Sequence, residues 1–121
     1  MKKIIIIEDE ETLSSLLQKK LIQEGYQVEV AEDGLIGLAK MKENKPDLIL
    51  LDIIMPKMGG FELMEKIRLD EDLKKIPIII ISNSGQPVEL GRAKELGVSD
   101  WLIKTNFDPQ EVVDKVKKQL N

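Results

Sequence analysis

Three short stretches, residues 4–7, 48–51 and 76–81, are apolar at almost every position, with only Pro77 interrupting the last near its start. Isoleucine fills the first and dominates the third. A strand with one face in water alternates apolar and polar residues. Strands apolar throughout therefore belong in the middle of a parallel sheet covered on both faces. Two weaker candidates, residues 27–31 and 100–103, alternate or run short and suit the edges. The first, third and fourth strands are thus predicted to be central, with the second and fifth outside them.

Helical periodicity fills the gaps. Leu13, Leu16, Leu17 and Leu21 mark one apolar stripe, with Gly25 placed to stop that helix. Leu35, Leu38 and Ala39 mark a second stripe, and Phe61, Met64 and Ile67 a third. Leu90, Ala93 and Leu96 mark a fourth, opened by Pro87 and closed by Gly97. Val112, Val113, Val116 and Leu120 mark the fifth, whose start is the clearest: Asp108 as N-cap, Pro109 at the first helical position and Glu111 completing a capping box. Five βα units in order predict an α/β domain. Right-handed crossovers with helices on both faces give a doubly wound parallel sheet of strand order 2-1-3-4-5. Strands 1 and 3 are then neighbours where the winding reverses, and ligands bind at the carboxyl ends of strands at such a point.

At 121 residues the chain is expected to be one domain, residues 1–121. Structure signals run from residue 3 to residue 120 without a linker or repeat, so no output domain is expected in this chain. It has no cysteine and no histidine, which excludes disulfide scaffolds, zinc sites of the usual kind, cysteine nucleophiles and histidine general bases. A net charge of −4 argues against direct nucleic-acid binding. No apolar run nears the roughly 20 residues that span a bilayer. The N-terminus begins like a signal peptide, but four apolar residues followed at once by acids are too few. No membrane role is expected, and the cytoplasm is the default location.

The predicted topology gathers distinctive residues at one rim of the sheet. The first strand runs into Glu8, Asp9, Glu10 and Glu11; the third ends at Asp52, the fourth at Ser82 and the fifth at Lys104. Each has a plainer alternative. The acids after the first strand suit the positive end of the first helix, which is the preferred account of Glu10 and Glu11. Asp52 suits a turn, Ser82 a loop cap and Lys104 a solvated surface. Together they form a coherent set. Converging carboxylates repel, and a hard divalent cation such as Mg²⁺ relieves the repulsion through oxygen ligands. A carboxylate beside such an ion is a competent nucleophile toward phosphorus, and a lysine with a hydroxyl holds the remaining phosphoryl oxygens.

At this point the chain resembles the response regulator receiver domain of two-component signalling, in the style of chemotaxis regulators. The resemblance covers nearly the whole chain. It rests on Glu8-Asp9, on Asp52 followed by Met55-Pro56 and Gly59-Gly60, on Ser82, and on the run from Asp100 through Trp101 to Lys104. It implies a flavodoxin-like (βα)5 fold and a phosphorylation-dependent switch. Asp52 would be the phosphorylation site. Glu8, Asp9, Asp52 and the backbone carbonyl of Ile54 would hold Mg²⁺, with Mn²⁺ able to substitute. Lys104 would contact the phosphoryl group, Ser82 would be the switch hydroxyl and Trp101 the switch aromatic. The donor would be a sensor histidine kinase, a phosphotransfer protein or a small acyl phosphate. The output would pass to a downstream protein target, or to a homodimer, through the fourth helix, fifth strand and fifth helix. Gly91 inside the fourth helix marks that helix as the mobile part. The sequence departs from the family at Thr105, where proline usually follows the lysine, at Asn83, where a small residue is usual, and at Trp101, where tyrosine or phenylalanine is usual.

Other functions fit less well. A phosphatase of the haloacid dehalogenase type needs an acid two positions after its nucleophilic aspartate, where this chain has Ile54. A flavodoxin-like electron carrier wants a hydroxyl- and glycine-rich phosphate loop and aromatics around its flavin, but here that loop is acidic and aromatics are 3% of the chain. The open alternative is a receiver-like protein-binding module that works without phosphorylation. The chain is not expected to be an enzyme beyond self-phosphorylation from small donors and slow self-dephosphorylation, because Ile54 offers attacking water no polar handle.

Overall fold

The computed structural model describes residues 1–55, 57–83, 87–104 and 108–120, with residues 87 and 88 as backbone only. Strands and helices alternate strictly: β1 (Lys3–Ile7), α1 (Glu11–Gln23), β2 (Gln27–Ala31), α2 (Gly34–Glu43), β3 (Leu48–Leu51), α3 (Gly60–Leu69), β4 (Ile78–Ser82), α4 (Pro87–Glu95), β5 (Asp100–Ile103) and α5 (Pro109–Leu120). All neighbouring strands are parallel, in the order β2-β1-β3-β4-β5. This is the flavodoxin-like α/β fold expected from the sequence.

The isoleucine runs explain the two layers. Along β1, Ile5 and Ile7 face one cluster while Ile4 and Ile6 face the other; Ile49 and Leu51 alternate with Leu48 and Leu50 in the same way. In β4, Ile78 and Ile80 oppose Ile79 and Ile81. The first cluster is closed by Met41 of α2, Leu63, Met64 and Ile67 of α3 and Ala93 of α4. The second is closed by Leu17 and Leu21 of α1 and by Val112, Val113 and Val116 of α5. Each such aliphatic side chain taken out of water contributes about 1.5–3 kcal/mol before chain entropy is counted. Three of the rim residues, Glu8, Asp52 and Ser82, therefore sit at the ends of the well-buried strands β1, β3 and β4, while Lys104 follows the half-buried edge strand β5.

Three helix faces differ from expectation. In α1, Leu16 is exposed and Leu13 half-buried, while Ser14, Leu17 and Leu21 are buried. In α2, Leu35 and Ala39 are exposed, Leu38 is half-buried, and the buried line is Gly34, Gly37 and Met41. The reason is close approach: a Cβ on Gly37 would lie 2.7 Å from Ile7 Cδ1. Periodicity counts side chains, and this contact works by lacking one. In α4, Ala93 is buried, Leu90 is exposed and Leu96 lies just beyond the last turn.

Helix ends follow local chemistry. After α1 the chain turns at Gly25, whose φ of +96° suits a residue without a Cβ. Asp108 accepts the Glu111 N–H at 2.9 Å and starts α5 as its sequence indicated. Residues 56, 84–86 and 105–107 lie outside the described residues, and so does the Lys104–Thr105 bond.

Candidate functional site

Sheet register delivers the rim residues to one place. Ile7 pairs with Leu51 across β1 and β3, and the Asp52 N–H donates to the Ile7 carbonyl at 3.0 Å. Glu8 and Asp52 thus leave neighbouring strands side by side. On the other flank Ser82 pairs with Ile103, and the Lys104 N–H donates to the Ser82 carbonyl at 2.7 Å. Glu8, Asp52 and Ser82 are buried, whereas Asp9 is exposed.

Lys104 joins the two flanks. Its Nζ lies 2.8 Å from Glu8 Oε1 and 3.2 Å from Asp52 Oδ2, with its side chain almost wholly covered. The second Glu8 oxygen, Oε2, accepts the Glu10 N–H at 3.0 Å. Carboxylate oxygens of Glu8, Asp9 and Asp52 all lie within 4.8 Å of one another. Three acids face one lysine, and the electrostatics reflect it. Burial pushes the Glu8 carboxyl up to about 7, against the pull of Lys104 and the Glu10 N–H. Burial also raises Asp52, opposed by Lys104 and by a backbone hydrogen bond from Ile54. Burial pulls Lys104 down, but Glu8 and Asp52 together outweigh it and hold the ammonium above its usual range.

The structure thus brings together Glu8, Asp9, Asp52 and Lys104. Ser82 is buried beside Lys104 on the same rim. Ile54 points its side chain into solvent, 70% exposed. Trp101 is half-buried against the α2–α3–α4 side of the core, and its Nε1 has no hydrogen-bond partner among the described residues. Glu10 and Glu11 are exposed at the start of α1, in keeping with a helix-end role.

Two residues next to the site escaped the sequence reading. Asp33, buried between β2 and α2, caps α2 by accepting the Ile36 N–H at 2.9 Å on Oδ1. Its Oδ2 lies 3.6 Å from the Nζ of Lys57 in the β3–α3 loop. Asp-Gly ahead of a helical run was the available signal for the cap; an ion pair between residues so far apart in sequence leaves none.

A 2-1-3-4-5 parallel sheet with an acidic pocket and one lysine at its carboxyl rim defines a receiver-type domain. The chain belongs to the response regulator receiver family, whose model, described as the response regulator receiver domain, matches residues 4–117. The alkaline phosphatase synthesis transcriptional regulatory protein PhoP of Bacillus subtilis is 37% identical over 116 residues, covering 96% of this chain and 47% of that protein. The chain spans about half the length of the curated relatives it matches. Among solved structures, the Vibrio cholerae chemotaxis protein CheY4 superposes with a TM-score of 0.91 at 30% identity, over 98% of each chain. A response regulator solved in its Mn²⁺-bound form gives a TM-score of 0.81 at 28% identity, over 98% of this chain and 89% of that one. Among the described residues no helix is long and apolar enough to cross a membrane.

Proposed function

We propose that residues 1–121 act as one receiver unit, a signalling switch set by phosphorylation of Asp52. The observation that carries this is the buried Asp52 carboxylate, 3.2 Å from Lys104 and within 4.8 Å of the Glu8 and Asp9 carboxylates at the carboxyl end of β3. Hard oxygen donors carrying more negative charge than one lysine offsets fit Mg²⁺ or Mn²⁺. Glu8, Asp9 and Asp52 would hold the ion, with the Ile54 carbonyl as a further ligand. When bound, it neutralises charge on the transferring phosphoryl group.

The chemistry of the chain's own residues follows. An Asp52 oxygen attacks phosphorus. An O–P bond forms as the donor's N–P bond breaks in a phosphohistidine, or its O–P bond in an acyl phosphate, and the electron pair leaves with the donor. Lys104 is already within reach to hold a phosphoryl oxygen, and the Ser82 hydroxyl offers a further donor on the same rim. Drawing Ser82 inward changes the space available to Trp101, and the α4–β5–α5 surface passes the change to a protein target or a second copy. The donor is a histidine kinase or a phosphotransfer protein, in the cytoplasm. Net charge −4 disfavours direct nucleic-acid contact.

Intact mass after incubation with acetyl phosphate, with and without Mg²⁺, tests the proposal. The expected result is a Mg²⁺-dependent gain of one phosphoryl group, absent in Asp52→Asn. A folded, Mg²⁺-binding chain that gains nothing would instead favour a binding module that needs no phosphorylation.

A further inference from the structure

We propose that Lys57 is a positioning residue for the acidic site: its ammonium tethers the β3–α3 loop to the buried Asp33 carboxylate, and the tether holds that loop in the shape the divalent ion needs. The inference deepens the phosphoacceptor function and rests on it.

Lys57 has a φ of +68°, the sole non-glycine positive φ among the described residues. A Cβ in that region crowds the following carbonyl, so the conformation persists only where surroundings impose it. The surroundings are visible. Lys57 Nζ lies 3.6 Å from Asp33 Oδ2, and the Asp33 side chain is only 3% exposed although Lys57 is 63% exposed. Asp33 has one oxygen committed to the α2 cap, leaving Oδ2 to the ammonium. The next residue, Met58, is buried over Gly34 so closely that a Cβ there would lie 2.7 Å from the Met58 carbonyl oxygen.

The other end of the loop closes on the phosphoacceptor strand. The Gly60 N–H donates to the Ile53 carbonyl at 2.7 Å, and a Cβ on Gly60 would lie 2.6 Å from the Asp52 carbonyl oxygen. The loop is therefore pinned at one end against Asp52 and Ile53 and at the other against Asp33 and Gly34. Ile54, whose carbonyl is the expected ligand, lies between the pins. Releasing Lys57 leaves Met58 alone to hold that end and gives the Ile54 carbonyl more freedom.

Lys57→Gly is the informative variant. Glycine accepts the positive φ without strain, so the fold is expected to keep or gain stability while the tether is lost. Simple charge arithmetic predicts the opposite sign for binding: removing a cation near an acidic pocket should tighten Mg²⁺. The tether predicts weaker binding, by about threefold, the scale on which one partly exposed ion pair acts. Asp33→Asn keeps an oxygen for the Ile36 N–H, takes both the charge and the acceptor away from Lys57, and should weaken Mg²⁺ by a similar factor. The double variant should be no worse than either single one, and Lys57→Arg should restore binding. The measurements are Mg²⁺ titration calorimetry and thermal unfolding in EDTA, on the whole chain. Tighter or unchanged binding in Lys57→Gly, or additive losses in the double variant, would overturn the tether alone. A natural chain that binds no Mg²⁺ would overturn the phosphoacceptor function beneath it.

Discussion

Glu8→Gln in Mg²⁺-free buffer reads the charge balance of the site directly. Glu8 has Lys104 at 2.8 Å and the Glu10 N–H at 3.0 Å, yet burial raises its carboxyl from 4.5 to about 7. The folded chain therefore holds a proton on Glu8 more tightly than the unfolded chain does. Between these two values the native state binds more protons, so stability falls as pH rises. The contribution is fully present below about pH 4.5 and lost above about pH 7. For one such group the loss between pH 5 and pH 8 is about 2–3 kcal/mol. Asp52, also raised, acts in the same direction. Glu24 is lowered by Lys117, which has the opposite sign but acts below about pH 5 and leaves this window clear. Urea unfolding in EDTA at pH 5, 6, 7 and 8, followed through the single tryptophan, measures the effect. With a urea slope of about 1–3 kcal/mol/M, the midpoint should fall by about 1–2 M across the series. A glutamine side chain in place of Glu8 keeps an acceptor for the Glu10 N–H without the titration, so Glu8→Gln should lose most of the slope and be the more stable chain at pH 8. Adding Mg²⁺ at ten times its Kd should return about 1.4 kcal/mol to the natural chain at pH 8. A natural chain whose stability is flat or rising from pH 5 to pH 8, or a variant with the same slope, would refute the assignment of the buried proton to Glu8.

Other expectations follow from single contacts. Ile54→Asn should shorten the phosphoryl lifetime, seen as faster loss of phosphoryl mass, with little effect on folding because the side chain is 70% exposed; an equal or longer lifetime would show that this position does not govern water access. Gly60→Ala places a Cβ 2.6 Å from both the Asp52 carbonyl oxygen and Ile53 Cα. Backbone cannot step aside as a side-chain tip can, so a loss of about 1–3 kcal/mol in urea unfolding is expected together with weaker Mg²⁺ binding, and an unchanged midpoint would count against it. Arg68 donates from its guanidinium to the carbonyls of Leu96, Lys74, Ile76 and Gly97. Arg68→Met should cost about 2–4 kcal/mol, because the fork is lost and the carbonyls of Leu96, Lys74, Ile76 and Gly97 lose its N–H donors, and Arg68→Lys should recover less than half of that. Full recovery by lysine would mean that charge matters there rather than the fork.

The sheet and its order were legible because strands buried on both faces carry a continuous apolar signal that few alternatives share. The rim followed from it: once the strand ends were known, Glu8, Asp52, Ser82 and Lys104 had to lie on one side. The residues that escaped act in ways a single-chain pattern does not encode. The close face of α2 is made by Gly37, where the contact depends on an absent side chain. Leu16 looked like part of a stripe because leucine is apolar, although the buried positions of α1 fall at Ser14, Leu17 and Leu21. Lys57 and Asp33 meet only because two loops at the same rim converge. That Lys104 would bridge Glu8 and Asp52, rather than face solvent, depended on side-chain reach beyond the strand end.

Under the proposed function, the bridge also gives a physical route by which phosphorylation of Asp52 would be felt. One ammonium faces three carboxylates, two of them buried, so the resting site is held short of positive charge. Burial makes each ionised acid costly, and that cost is what the raised Glu8 and Asp52 record. A divalent cation would be favoured there for the same reason, and would compete with a proton for the Glu8 carboxylate. A phosphoryl group on Asp52 would then add charge where Lys104 is already shared. Lys104 would not keep both contacts at full strength while also serving the new oxygens, so its hold on Glu8 would weaken. Its main chain is bonded to the Ser82 carbonyl, and it directly follows β5, the strand that carries Trp101. A redistribution of charge at Asp52 would thereby be felt first at the β4 and β5 ends, next to the surface proposed for a partner.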